Sequence, residues 1–481
     1  MHKKIFAAIF SLVLFCACIF PCFATWPTSI LRDSNVTTYS EIFTLVNADT
    51  GDVLLDKNAR KRTAPASLTK IATAAVVLQN CADLKEKVAY ATADNDVLYG
   101  TFSSVSGLKV GEVRTVYEML ACMLIPSGND AAVALARHFG TQFLAEPAPA
   151  ADDALDSVTP GALTQTRLSG DPIAAFVEKM NAFAKSAGCA DTQFVNPHGL
   201  DEIGHYTTAA DVLTMTRAAM EYPAFAELTS KTSYTLPASG EFPKRNLIGT
   251  NKMLNPGIKD YYSPYATGIK TGNTDDAGHC VVSFARYNGY SYFVVVMRGT
   301  LKDIDADDVD ENTAFVDAKN LLAWAFENLR LVKVASPLNK VTEVPLLYAK
   351  EGDRMALCPT QDVYIPVPQG VDESGLLIVP QAETLPAELV APVAANTPAG
   401  KAKVLYANQE IATIDLVTQT DAQRSAFLYA AKKVSDVLHA PAFLWIMGIL
   451  LLLIVGAVLV QLLSRKKKRK PQRVTPSIGN R

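Results

Sequence analysis

The amino-acid sequence predicts an α/β (α+β) domain, then a small all-β domain, then one helix that crosses a membrane. Three observations carry this. Residues 25–336 mix helical periodicity with hairpin-like strands. Residues 337–418 hold short β-rich pieces separated by turn residues, and Phe443 to Leu463 is apolar except for Gln461. A length of 481 residues allows about three domains at roughly 100–200 residues each.

The two ends are set aside first. His2-Lys3-Lys4, the apolar run Ile5 to Phe20, and Pro21-Cys22-Phe23-Ala24 describe a secretory signal peptide over residues 1–24, cleaved after Ala24. Residues 441–463 form the transmembrane helix, because at about 1.5 Å per residue such a run spans the roughly 30 Å hydrocarbon core. The tail, 464–481, opens with Arg465-Lys466-Lys467-Lys468-Arg469-Lys470, and short basic flanks stay cytoplasmic. The expected protein is therefore single-pass in the cell membrane, with Thr25 to Ala440 outside the cytoplasm.

Charge then separates by compartment. The whole chain is −3. The tail carries eight basic residues and no acidic one, and the leader adds Lys3 and Lys4, so the exported part is −13. An acidic exported part does not suit a nucleic-acid partner. Beyond the leader, Cys81, Cys122, Cys189, Cys280 and Cys358 are scattered, odd in number and without zinc-like spacing. They read as small buried hydrophobes, with room for at most one bridge.

Between the ends, Ile42–Val46 and Val53–Leu55 read as a hairpin around Asn47 to Asp52. Ser67 to Leu78, Val116 to Leu124 and Asp130 to Phe139 read as helices. Residues from about 145 to 170 are rich in Ala, Pro, Asp and Thr without periodicity, which predicts an insertion or surface loop. Ile173 to Ala187 is an amphipathic helix with Phe176, Met180 and Phe183 at helical spacing. Cys280–Ala285 and Tyr290–Met297 form a hairpin at Asn288-Gly289, and Ala314 to Leu329 closes the main domain as a helix. In 419–440, Phe427, Ala430, Ala431, Val434 and Leu438 line one side of an amphipathic juxtamembrane helix.

Three motifs carry chemistry. Ser67-Leu68-Thr69-Lys70 places Ser67 and Lys70 one helical turn apart, so a desolvated, neutral lysine could take the serine proton. Ser127-Gly128-Asn129 supplies a hydroxyl that can relay a proton and an amide that can orient a carbonyl, although alone it reads equally as a helix cap. Lys270-Thr271-Gly272, just before a strand, offers a cation and a hydroxyl to a carboxylate, with Gly272 allowing close backbone approach. His198 and His205 with Asp201 could suggest zinc, but no HExxH and no third clear ligand accompany them, so no metal and no cofactor are expected.

SxxK, SxN and KTG in this order resemble penicillin-binding proteins and serine β-lactamases. Gly107-Leu108-Lys109-Val110-Gly111-Glu112, Phe194 to Asp201 and Gly204-His205-Tyr206-Thr207-Thr208 look like the low-molecular-mass penicillin-binding proteins, the serine D-Ala-D-Ala carboxypeptidases. The resemblance covers roughly Thr37 to Leu463. It implies the penicillin-binding/serine β-lactamase-like transpeptidase fold, and a catalytic domain over 25–336. It implies as partners a peptidoglycan stem peptide ending in D-Ala-D-Ala and β-lactam antibiotics. Carried over, Ser67 is the nucleophile, Lys70 its base and Ser127 the proton relay to the leaving D-Ala. Asn129 holds substrate, Lys270 and Thr271 bind the carboxylate, and the N–H groups of Ser67 and Asn273 form the oxyanion hole.

The chain departs from that pattern in places. Asn273 stands where a His commonly follows KTG. The stretch Lys302 to Asn312 is acidic where relatives often supply an Arg near the carboxylate, and Arg298 is the substitute considered. A β-lactamase is disfavoured, because no Glu-x-x-Leu-Asn lies between the second and third motifs. The rival reading is a non-catalytic peptidoglycan-binding scaffold that kept the fold; intact motifs speak against it.

Overall fold

The computed structural model describes residues 36–145, 170–406 and 408–467. The expected signal peptide, most of the expected insertion and the tail from 468 lie outside the described residues. The chain divides into two compact units. One runs up to Val334 and adds Val363–Val379 and Lys403–Ile414; the other holds Ala335–Asp362, Pro380–Ala402 and Asp415 onward.

The first unit is built on a five-stranded antiparallel sheet. Its strands are β1 (Ile42–Asn47), β2 (Val53–Lys57), β3 (Lys270–Thr274), β4 (Gly278–Tyr287) and β5 (Tyr290–Gly299), in the order β2-β1-β5-β4-β3. The central strands are buried on both faces: Val294, Val295, Val296 and Met297 are all fully buried, as are Val281 and Val282. The third motif sits on β3, an edge strand, so one side of its backbone is free to meet another chain.

Helix α1 (Thr69–Asn80) is the hub of the helical layer. Thr69 through Val77 are buried without interruption, the pattern of a helix covered all round. It packs on α3 (Asn129–Ala145), α4 (Pro172–Ser186) and α5 (Ala209–Met220). Helix α2 (Val116–Leu124) begins at a capping box: the Glu118 N–H donates to Thr115 Oγ1 and the Thr115 N–H to Glu118 Oε2. Helix α4 starts with Pro172 and is capped by Asp171. Helix α6 (Thr313–Asn328) is capped by Asn312 and packs on β4 and β5.

The second unit contains the antiparallel pair Thr342–Leu347 and Arg354–Cys358, with Leu389–Val390 added in parallel to the former. Leu357 and Cys358 also pair with Thr418 and Val417. Helix α7 (Ala426–His439) has no buried residue and exposes Phe427, Val434 and Leu438. Helix α8 (Pro441–Lys467) contains a span, Pro441–Ser464, long and apolar enough to cross a membrane, none of it buried.

Candidate active site

Ser67 lies in a 3₁₀ turn, Ala66–Leu68, so α1 starts two residues later than the sequence predicts. Ala66 has φ +47° and Ser127 has φ +64°, left-handed values that non-glycine residues rarely adopt. Such backbones cost roughly 1–3 kcal/mol each and persist only where surrounding packing enforces them.

The packing that enforces the first is the loop after α4. Gly199 has φ +95°, and a Cβ there would lie 1.9 Å from the Ala66 carbonyl oxygen. The loop is thus pressed against the backbone beneath Ser67. Asn196 shapes it, its Oδ1 accepting from the Gly199 N–H at 2.7 Å. From the other side Gly272 of β3 approaches; a Cβ there would stand 3.0 Å from Ala66 Cβ and 3.2 Å from the Ser67 nitrogen. The edge strand and the Ser67 turn are therefore in direct backbone proximity.

Lys70 Nζ has three neighbours: Ser67 Oγ at 2.8 Å, Asn129 Oδ1 at 2.6 Å and the His198 carbonyl oxygen at 2.8 Å. Lys70 is fully buried. Burial holds its amine well below the ordinary 10.5, the nearby Lys270 adds to this, and Asp130 opposes it. A neutral amine has two N–H bonds and one lone pair. In that neutral state Asn129 Oδ1 and the His198 carbonyl, which can accept only, would take the two N–H bonds and leave the lone pair for the Ser67 hydroxyl.

Lys270, also buried, donates to Ser127 Oγ at 2.8 Å and to the Thr271 carbonyl at 2.8 Å. Burial pushes its amine down to about 7. It is not among the described cleft-lining residues, although Ser127, to which it donates, is. The turn carrying Ser127 and Asn129 is braced by Asp130, whose carboxylate accepts from the N–H groups of Ser106 and Leu108 and from the Ser106 hydroxyl. The Gly107 to Glu112 stretch adds a buried ion cluster in which Glu112 pairs with Arg114 and Arg245.

These residues border one open cleft of about 610 Å³. Ser67, Ser127, Asn129, Thr271, Gly272 and Asn273 all line it. Residues that sequence reasoning missed line it too, among them Thr250, whose hydroxyl is 2.6 Å from that of Thr271, and His279. No sequence signal marks Thr250. The carbonyl of His198 was equally hidden, since a backbone acceptor has no side-chain signature. Arg298 is engaged elsewhere, donating to Glu41 Oε2 at 2.7 Å and to the Asp276 carbonyl, and is not among the described cleft-lining residues.

Both histidines of the loop take hydrogen bonds from loop backbone, His198 Nδ1 accepting from the Leu200 N–H at 3.2 Å. Val195 N–H donates to His205 Nδ1 at 3.0 Å, which fixes the proton on Nε2, 2.9 Å from Thr69 Oγ1. Thr69 in turn donates to the Ala66 carbonyl. Burial pushes the His205 imidazole down to about 4 and that of His198 to about 3. Both folded values lie below the ordinary 6.5, so the unfolded chain takes up the protons first on acidification. The stability from keeping these rings neutral is complete above about pH 6.5 and is lost as pH falls toward 4 and then 3. For His205 alone this is on the order of 3 kcal/mol. The Tm is expected to drop between pH 6.5 and 4, and His205→Gln, which gains no proton there, should flatten part of that drop. An unchanged slope in the variant would contradict this assignment.

Comparison with known proteins places the chain in a family. The family model described as D-alanyl-D-alanine carboxypeptidase matches residues 31–142 and 166–300, just over half of the chain. The model of the penicillin-binding protein 5 C-terminal domain matches 330–424. The D-alanyl-D-alanine carboxypeptidase DacF of Bacillus subtilis is 30% identical over 265 residues, covering 55% of this chain and 59% of that protein. DacA of Escherichia coli K12 is 28% identical over 342 residues, covering 69% and 71%. Among solved structures, penicillin binding protein 5 from Haemophilus influenzae superposes over 81% of this chain and 98% of its own at a TM-score of 0.63, at 24% identity. The Streptomyces K15 DD-transpeptidase covers 60% of this chain and 98% of its own at a TM-score of 0.50 and 26% identity. The Ser67 turn, the buried Lys70 and the edge strand beside them thus sit in a chain that belongs to the D-alanyl-D-alanine carboxypeptidase family of low-molecular-mass penicillin-binding proteins.

Proposed function

We propose that this chain is a serine D-Ala-D-Ala carboxypeptidase that removes the terminal D-Ala from peptidoglycan stem pentapeptides through an acyl-enzyme on Ser67, and that penicillin acylates the same serine. The observation that carries the reading is the environment of Lys70: buried, its amine held well below the ordinary lysine range, with Asn129 Oδ1 and the His198 carbonyl as acceptors beside Ser67 Oγ.

Ser67 Oγ attacks the carbonyl of the penultimate D-Ala while Lys70 takes the hydroxyl proton. The carbonyl electrons move onto oxygen, which the N–H groups of Ser67 and Asn273 receive; the closeness of β3 to the Ser67 turn supports that pairing. The tetrahedral centre then expels the D-Ala nitrogen, to which Ser127 hands a proton, and the proton that Lys70 took from Ser67 replaces it on Ser127. Lys270, bonded to Ser127, holds that hydroxyl in place. Thr271 meets the terminal carboxylate and Asn129 the substrate amide. Water adds to the ester to regenerate Ser67. The test is release of D-Ala from a pentapeptide ending in D-Ala-D-Ala. Turnover by the wild type and none by Ser67→Ala is expected; a folded wild-type protein that releases no D-Ala would favour the scaffold reading instead.

The same reading assigns residues 1–24 as an export leader, 25–336 as the catalytic domain and 337–418 as the β-rich domain. Residues 441–463 anchor the chain with the basic tail, 464–481, in the cytoplasm. Since the cleft residues all precede Ala325 in sequence and the span begins at Pro441, a chain ending at Leu438 is expected to be soluble without detergent and to keep its kcat/KM on short D-Ala-D-Ala peptides within about threefold. Loss of activity in a folded truncation would mean that the anchor does more than tether.

A further inference from the structure

A D-Ala-D-Ala terminus brings one carboxylate into the cleft, and a carboxylate leaving water unpaired is costly. The walls offer little to meet it. Among the described lining residues, Asp201 and Asp275 are acidic and His279 is the sole side chain that can become cationic. Lys70 and Lys270 are buried and committed to Ser67, Asn129 and Ser127. Arg298 is tied to Glu41.

His279 is well placed. It lies on β4 directly across from Asn273 of β3, so the two side chains share a face of the sheet, roughly 5 Å apart at Cβ. Thr271 lies two residues back on that face of β3 and also lines the cleft. Thr250 can donate to Thr271 Oγ1, which frees the Thr271 O–H to donate forward. Asn312, the N-cap of the 16-residue helix α6, borders the same cleft, so its positive end adds to the attraction for an anion.

We infer that His279 determines specificity for the terminal carboxylate: in its protonated form it donates to one carboxylate oxygen while the Thr271 hydroxyl holds the other. This rests on the carboxypeptidase reading above. Lys252 is the charged group that acts on the His279 ring, Asp201 and Asp275 line the same cleft, and on β5 Arg298 precedes Gly299, the residue paired with His279. Burial, with Lys252 adding to it, keeps the imidazole below its ordinary 6.5 in the free protein. A bound carboxylate offsets that repulsion and draws a proton onto the ring. By linkage, protonation must in turn tighten carboxylate binding. Preference for a carboxylate terminus should therefore rise as pH falls.

The experiment compares kcat/KM for one peptide ending in D-Ala-D-Ala and for its C-terminal amide, from pH 5.5 to 8, in the wild type, His279→Gln and His279→Arg. The wild-type ratio of acid to amide is expected to rise as pH falls. His279→Gln should lower the acid value about 10- to 100-fold near pH 6, leave the amide within about threefold, and give a ratio flat in pH. His279→Arg, always charged, should restore the preference at every pH. Turnover of the amide reports that each variant is folded. Equal losses on acid and amide, or a wild-type ratio flat in pH, would overturn the assignment while leaving the carboxypeptidase reading intact. A wild-type protein that turns over neither peptide and is not acylated by penicillin would overturn that reading, and this one with it.

Discussion

Replacing Lys70 with alanine is expected to slow acylation of Ser67 by about 10²–10⁴-fold near neutral pH while the domain remains folded. The size follows from what general-base assistance contributes to a hydroxyl that is otherwise a poor nucleophile. The loss should not be rescued by Lys70→Arg, because a guanidinium stays protonated and has no lone pair to offer. Alanine removes one buried amine and leaves Asn129 Oδ1 and the His198 carbonyl without their donor. Each such group costs about 1–3 kcal/mol, a sizeable but survivable fraction of a domain's stability. Stopped-flow acylation by a chromogenic cephalosporin, with Tm measured in parallel, separates the two effects. A folded Lys70→Ala protein acylated within about tenfold of the wild-type rate would mean that another group is the base.

The second large effect is steric. In Gly199→Ala the new methyl would overlap the Ala66 carbonyl oxygen, 1.9 Å from the ideal Cβ position, at a backbone φ of +95°. Neither partner is a flexible side chain, so backbone must move. The loop cannot shift without moving the His198 carbonyl that accepts from Lys70, and the turn cannot shift without moving Ser67. Displacements near 1 Å at a reacting centre cost on the order of 100-fold, so acylation should fall at least that much. Gly188 provides the control. It has φ +97° but nothing within 4 Å of its Cβ position, so Gly188→Ala incurs the backbone strain of about 1–3 kcal/mol without the collision. Gly188→Ala is expected to lose stability and keep its acylation rate. Equal acylation rates in the two variants would show that the Gly199 contact does not position the turn.

Much of the site was legible because its chemistry is local. Ser67 and Lys70 are three residues apart, a spacing that a 3₁₀ turn running into a helix keeps short. Ser127 and Asn129 are likewise neighbours at the start of α3. What the sequence could not show is which groups meet across long separations. Lys270 reads as a strand-edge cation offered to the substrate, yet packing turns it inward to Ser127, 143 positions away. The acceptor from residue 198 that meets Lys70 is a backbone carbonyl, invisible to any residue-type argument. Arg298, considered as a carboxylate ligand, is drawn to Glu41 by the register of β1 with β5, which only the assembled sheet reveals.

The fold shows the same division. The Val116–Leu124 helix and the Asn288-Gly289 hairpin follow from local pattern and turn chemistry. Helix α5 passed unnoticed although Thr208 caps it and accepts from the Asp211 N–H, because its Ala- and Thr-rich face gives weak periodicity. Strand Arg354–Cys358 was missed because its two interior partners, not its own short sequence, define it.

The central claim is that Ser67 forms the covalent intermediate. Incubation with a penicillin, then proteolysis and mass spectrometry, tests it most directly. One adduct per chain is expected, on the peptide containing Ser67, and none in the folded Ser67→Ala protein. An adduct on Ser127 or any other residue, or a folded wild-type chain that releases D-Ala yet carries no adduct, would contradict it.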